Sequence, residues 1–411
     1  MMSPIRPIHV GVVHKPNASA QTVYGPALEA ILSEVGFEAA RREIASWPGY
    51  APTPLRRLSG LAASAGLGEV WYKDEGGRFG LGSFKALGGA YAVCRLLQRE
   101  VAARGGPTPI TSAELRAGRY RDMVHGITVC AATDGNHGRS VAWGARLFGC
   151  RCVIYIPDAV SHGRERAMAR YGAEVRRIDG SFDDAVRQAD QDAAATGWFV
   201  IADTTYSGYT EVPRDVMHGY TVMVDEAIQQ LPDGAPPSHV FVQVGGGGLA
   251  AAVCARLWQR YGAARPRFIL VEPEMAACFF ASAEAGHPVA VPGDLETVMG
   301  GLAVGQASIL AWELLWAGAD DFLTIPDPAA LEVMRLLAAG ARGDAPVVAG
   351  ESAVAGLAGA LGARQDPALA EALGLGPESR ILVFGTEGAT DPELYEQIVG
   401  RPPEDVAAAA G

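Results

Sequence analysis

Residues 73 to 91 read KDEGGRFGLGSFKALGGAY and place Lys85 amid six glycines. The residues just before them, EVWYK (69 to 73), alternate as a strand does, and those after Lys85 run in helical spacing to about Ala103. Strand, glycine-rich turn and helix in succession predict one unit of an α/β fold, with its chemistry at the carboxyl end of the strand. A lysine becomes a covalent catalyst when its site lowers its pKa, and glycines let backbone and a flat cofactor approach closely. Lys85 is therefore the candidate Schiff-base lysine. The plainer reading is a solvated lysine opening a helix through Ala86, Leu87, Ala90 and Val93. Three further glycine-rich turns weigh against that reading.

Outward from this stretch the alternation repeats. ITVCAA (127 to 132), CRCVIYIP (150 to 157), AEVRRID (173 to 179), WFVIAD (198 to 203), HVFVQV (239 to 244), FILVEP (268 to 273), DFLTIP (321 to 326) and RILVFG (380 to 385) read as strands, with helix-length segments between them. Near-continuous apolar strands alternating with helices imply parallel sheets covered on both faces. The expected fold is α/β, two doubly wound, mainly parallel-sheet domains with a cofactor in the cleft between them. Residues 1–92 and 201–411 are assigned to a large cofactor-binding domain and 93–200 to a smaller mobile one. Residues 1 to 50 are expected to hold one helix, about 26 to 35, and otherwise to form an arm. RGGPTPITSAELRAGRYRD (104 to 122) reads as a surface excursion.

Composition narrows the function classes. The 411 residues are 49% hydrophobic and 19% charged, ordinary for a globular chain. A net charge of -12 argues against nucleic acid or an anionic membrane as partner. No apolar run reaches bilayer length and MMSPIRPIHVGVV lacks a signal peptide's core, so a cytoplasmic enzyme acting on a small molecule is expected. Cys94, Cys130, Cys150, Cys152, Cys254 and Cys278 show no paired zinc spacing and read as reduced core residues.

In such sheets ligands sit beyond the carboxyl ends of the strands, and four of those turns carry unusual residues. Thr133-Asp134-Gly135-Asn136-His137-Gly138 precedes a helix, whose free N–H groups suit an anion; Asn136 can donate to a phenolate or a carboxylate. The plainer reading makes Asp134 a cap, but a cap needs only one such residue. His137 is read as a first-turn residue without a role. Asp203, ending WFVIA, is by itself a turn former. As a partner of Asp134 it would suit a substrate bearing an extra ammonium group. Gly245, Gly246, Gly247 and Gly248 lead into a helix and make a phosphate cradle. Thr386, after RILVFG, offers a neutral hydroxyl to a heterocyclic nitrogen, which leaves that nitrogen largely unprotonated.

A rival reading takes Gly245, Gly247 and Ala250 as a GxGxxA dinucleotide fingerprint with Glu272 as the ribose-binding acid. It leaves GSFK and DGNHG unexplained. Taken together, KDEGGRFGLGSFKALGGAYAV, TDGNHGRSVAWGA, ADTTYSGYTEVP, VQVGGGG, VMGGLAVGQAS, AGESAVAGL and GTEGATDP resemble the fold-type II pyridoxal-phosphate enzymes, the group of serine/threonine dehydratases, threonine synthase and the tryptophan synthase β-chain. Within that group the likeness is to the diaminopropionate ammonia-lyases. The resemblance implies pyridoxal 5'-phosphate bound to Lys85, its phenolic oxygen at Asn136, its phosphate at Gly245 to Gly248 and its ring nitrogen at Thr386. It also implies Asp134 and Asp203 as acids handling the substrate's amino groups, an α,β-elimination yielding pyruvate and ammonia, and a homodimer. A hydroxyamino-acid dehydratase or a β-replacement synthase of the same fold is the alternative; a non-catalytic binder and an NAD-type dehydrogenase stand further off.

Overall fold

The computed structural model describes residues 14–17, 20, 23–133, 135–341 and 343–410. Two compact units emerge, each with its own sheet. One comprises residues 1–30, 53–77 and 223–411, the other 31–52 and 78–222. The domain assignment from sequence drew its lines at 92/93 and 200/201. The structure groups the helix Lys85–Ala103 with the later segment because of its packing partner. Gly89 and Gly144 face Ser140 and Ala90 so closely that a Cβ would lie 2.6 Å from Ser140 Oγ and 2.8 Å from Ala90 Cα, respectively. The two helices, Lys85–Ala103 and Asn136–Phe148, therefore approach backbone to backbone, and the Ala90 N–H donates to Ser140 Oγ at 3.0 Å. Gly88 is used the same way, since a Cβ there would meet the Tyr220 ring at 2.4 Å. The glycines just after Lys85 thus serve helix packing.

Among the described residues the first unit is built on seven strands. Their spatial order is His14–Pro16, Asp321–Ile325, Arg267–Pro273, His239–Gln243, Arg380–Gly385, Glu69–Asp74 and Leu55–Arg57. The five central strands are parallel and the two edge strands antiparallel. Burial of Val240, Phe241, Ile269, Leu270, Leu382 and Val383 on both sheet faces explains their unbroken apolar runs. The second unit has four parallel strands in the order Glu174–Ile178, Arg151–Pro157, Thr128–Ala132 and Phe199–Val200. Both sheets bear out the α/β, mainly parallel reading. Among the described residues no helix is long and apolar enough to cross a membrane.

Two segments differ from the sequence reading. The single helix expected over about 26 to 35 is a short turn of helix, Pro26–Glu29, followed by a longer helix, Glu34–Ala45. Ser33 starts the second by accepting the Gly36 N–H. Gly36, which weakens the helical pattern, is required there because a Cβ would lie 2.1 Å from His218 Nε2. The excursion 104–122 contains the helix Ser112–Arg116, opened by a reciprocal capping box between Thr111 and Glu114, and the start of Arg121–His125.

Candidate active site

Strand order says where each sheet should bind. In the four-stranded sheet the chain steps from Thr128–Ala132 outward in one direction through Arg151–Pro157 and Glu174–Ile178. It then returns to the opposite side of Thr128–Ala132 as Phe199–Val200. The turns after Thr128–Ala132 and after Phe199–Val200 therefore flank a reversal of strand order, the place where open α/β sheets hold ligands. These are the turns bearing Asn136 and Asp203. Asp134 lies outside the described residues.

Asp203 meets Lys85 there. The Lys85 ammonium donates to Asp203 Oδ2, and the two side chains are 23% and 26% exposed, so the pair is reachable from outside the core. Burial works to lower the Lys85 pKa, but the Asp203 carboxylate beside it outweighs burial and holds it above its ordinary value. Burial likewise works to raise Asp203; the Lys85 charge overcomes it, and the carboxyl sits well below its usual range. The sequence paired Asp203 with Asp134. Among the described residues its neighbours are Lys85 and His137, whose Nδ1 lies 3.7 Å from Asp203 Oδ2. His137 has surroundings the sequence reading denied it. It is buried, and its Nε2 bonds the Ile201 carbonyl at 2.7 Å. Tyr209 braces the same strand end, donating to the Val200 carbonyl at 2.7 Å and accepting from the Ala202 N–H at 3.1 Å. The buried Tyr220 ring lies 6.0 Å from Lys85 Nζ.

Capping of the Asn136–Phe148 helix falls to Thr133, whose Oγ1 accepts the Gly135 and Gly138 N–H groups at 3.0 and 3.1 Å. Asn136 is the first helical residue. Lys73, the other lysine of the opening stretch, is fully buried and belongs to the first unit, held by Glu226 and Gln230 at 2.9 Å each. A wholly enclosed, fully bonded ammonium is structural; the part-exposed Lys85 is the one available to a ligand.

The seven-stranded sheet has its own reversal. From His239–Gln243 the chain proceeds outward to Arg267–Pro273 and Asp321–Ile325, then comes back on the other side as Arg380–Gly385. The turns at this reversal carry Gly245 to Gly248 and Thr386. Gly247 has φ +99°, and a Cβ on it would lie 2.5 Å from the Phe279 ring and 2.7 Å from Ala311. Among the described residues no side chain caps the helix Gly248–Tyr261 that follows, so its first N–H groups are of the kind that suits an anion. Thr386 is buried, and Gln243 Nε2 donates to its Oγ1 at 3.0 Å and to the Phe384 carbonyl at 2.8 Å. Gln243 was missed in the sequence, although a polar side chain ending a buried strand must find partners. Glu272, the acid of the dinucleotide reading, is fully buried, and its oxygens accept the Phe279 and Phe280 N–H groups at 2.8 and 2.7 Å. It is committed to a helix start and cannot receive a ribose.

One unit thus offers a lysine held on a carboxylate, and the other an uncapped helix start after a glycine turn and a buried hydroxyl. The chain belongs to the family described as pyridoxal-phosphate dependent enzymes, whose pattern matches residues 46–387. More particularly, it is 36% identical to the diaminopropionate ammonia-lyase of Salmonella typhimurium (strain LT2) over 91% of this chain and 94% of that one. The crystal structure of holo diaminopropionate ammonia-lyase from Escherichia coli superposes with a TM-score of 0.87 at 34% identity, covering 95% of this chain and 97% of that one. The structure of the same enzyme in complex with D-serine gives 0.86 at 34% identity, with the same coverage.

Proposed function

We propose that this chain is a pyridoxal-phosphate-dependent ammonia-lyase that converts 2,3-diaminopropionate to pyruvate and ammonia. The observation that carries the reading is the Asp203 carboxylate, kept ionised and already paired with an ammonium nitrogen at a part-exposed position. A substrate whose β-carbon bears an ammonium group presents the same chemistry to the same acceptor. The likeness to diaminopropionate ammonia-lyases over nearly the whole chain supports it.

The residues present fit the cofactor. The uncapped helix start after Gly245, Gly246, Gly247 and Gly248 suits its phosphate, Thr386 its ring nitrogen, Asn136 its phenolic oxygen, and Lys85 its carbonyl carbon. Bound there, the cofactor supplies the electron sink that acidifies the substrate's Cα–H. Lys85 Nζ takes that proton from an L-substrate; Asp134 is assigned the corresponding role for a D-substrate. Asp203 Oδ2 orients the β-ammonium, which departs as ammonia. Thr386 accepts from Gln243, so its own hydroxyl proton is left to donate, which suits an unprotonated ring nitrogen and rapid elimination. We further infer a homodimer working in the cytoplasm, where the free thiols of all six cysteines would persist.

The test is pyruvate release by purified protein with added pyridoxal phosphate. L- and D-2,3-diaminopropionate are to be compared with L-serine and L-threonine. Rapid turnover of diaminopropionate with little from the hydroxyamino acids is expected; the reverse ranking would make the chain a dehydratase. Light scattering checks the dimer.

A further inference from the structure

His137 takes no part in the chemistry set out so far, yet its ring is buried and held beside Asp203. It is 7% exposed, and its Nε2 lies 2.7 Å from the Ile201 carbonyl oxygen. A carbonyl oxygen can only accept, so Nε2 carries the hydrogen, and the neutral ring is left with a lone pair on Nδ1. Among the described residues that atom is buried without a hydrogen-bond partner, and it lies 3.7 Å from Asp203 Oδ2. Two acceptors thus face each other with nothing donated between them, an arrangement that costs free energy until a proton enters. While Lys85 is an ammonium, its own proton satisfies Asp203 from the other side. When the Lys85 nitrogen is uncharged, the carboxylate loses that donor.

We propose that His137 is the positioning residue of Asp203 and that the two side chains together hold one exchangeable proton. This deepens the reading of Asp203 given above and rests on it. While Lys85 is uncharged, a proton entering from solvent forms an N–H bond at His137 Nδ1 that faces Asp203 Oδ2 as a carboxylate–imidazolium pair, and that bond breaks to return the proton to solvent when Nζ regains its charge. No oxidant or co-reactant is needed. The groups facing this proton, among the described residues, are Asp203 from the turn after Phe199–Val200, Lys85 from the helix Lys85–Ala103 and the Tyr220 phenol from the helix Glu211–Gln230. Burial depresses the His137 pKa, the nearby Asp203 carboxylate opposes that, and Lys85 adds to it. The ring is consequently neutral while Lys85 is charged, as the proposal requires.

His137→Gln separates anchoring from proton holding, because its amide can donate to the Ile201 carbonyl but cannot take a proton. The expected result is unchanged cofactor stoichiometry and near-native KM for diaminopropionate. The kcat should fall about 10- to 100-fold, with the acid limb of its pH profile displaced. A pH profile superimposable on that of the unaltered enzyme, at similar kcat, would overturn the proposal and leave His137 a packing residue. A second readout is independent of activity. In protein labelled with 15N in the imidazole rings, the resonances absent from His137→Gln or His137→Asn should report the Nε2–H tautomer at neutral pH. An Nδ1–H tautomer would sink the idea, since no lone pair would then face Asp203.

Discussion

The two reversals of strand order are built from opposite materials. At the seven-stranded sheet the groups are backbone N–H donors, the Thr386 hydroxyl and the Gln243 amide, and the adjacent Glu272 is pushed up to about 8 and so stays largely protonated near neutrality. At the four-stranded sheet they are an ammonium, an ionised carboxylate and a titratable ring within a few ångströms. Neutral preorganised donors bind an anion without competing for protons, whereas proton transfer needs groups whose charge can change. On the proposed function, binding and chemistry fall to different sheets.

Breaking the charged side should cost most. Lys85→Ala removes both the cofactor's anchoring amine and the proton acceptor, and turnover of diaminopropionate should drop about 10³-fold or more. Bound cofactor should also lose the absorbance of a lysine imine; a variant that retained it would remove Lys85 from its role. Asp203→Asn keeps the shape and deletes the charge. We expect kcat/KM for diaminopropionate to fall on the order of 100-fold and to fall distinctly less for serine, which has no second ammonium to bind. Equal losses on both substrates would mean that Asp203 serves Lys85 alone.

Loosening the neutral side should cost less and show first in binding. In Gly247→Ala the added methyl meets Phe279 and Ala311 in a backbone conformation that favours glycine, destabilising the fold by about 1–3 kcal/mol. Cofactor binding, followed by fluorescence on dilution, should weaken on the order of 10- to 100-fold, while kcat at saturating cofactor should fall less than in Asp203→Asn. A variant binding as tightly as the unaltered chain would show that the cradle lies elsewhere.

This contrast also explains what the sequence made legible. The neutral side is written in local signals. GGGG between an apolar strand and a helix, and a threonine straight after RILVFG, can be read without knowing what lies opposite. The strands and the helix opened by Lys85 were legible for the same reason, being periodic and apolar. The charged side depends on partners far apart in the chain. Lys85 and Asp203 are 118 residues apart, and His137 reaches the Ile201 carbonyl across 64. No spacing rule announces those meetings, so the Lys85–Asp203 pair went unread and His137 was dismissed. Gly88 and Gly89 misled in the opposite direction, for a glycine admitting a helix looks the same in sequence as one admitting a ligand. The missed helix Ser112–Arg116 was legible after all, since Thr111 and Glu114 spell a capping box, but the surrounding glycines and prolines obscured it.

The smallest effect on turnover should come from Glu272, and it tests whether the neutral side is neutral by construction. Burial raises its pKa to about 8, while the N–H groups of Phe279 and Phe280 pull the other way. In the unfolded chain the same carboxyl titrates near 4.5. Between those values the folded state holds a proton that the unfolded state has released, so this group's contribution to stability is greatest below about pH 4.5 and is lost as pH rises toward 8. Glutamine cannot titrate and removes that dependence. Urea unfolding of both proteins from pH 5 to 8 should therefore show the stability difference moving steadily in favour of Glu272→Gln, by a few kcal/mol at most across the window. The constant offset between the two, set by the hydrogen bond that a glutamine NH₂ cannot accept from one of the two backbone N–H groups, is irrelevant to the slope. Turnover at saturating cofactor should stay within about twofold, because Glu272 touches neither the glycine cradle's N–H groups nor the Lys85–Asp203 pair. A stability difference independent of pH would mean that the two N–H donors keep Glu272 ionised, and the contrast between the two sheets would then rest on Gln243, Thr386 and the glycine turn alone.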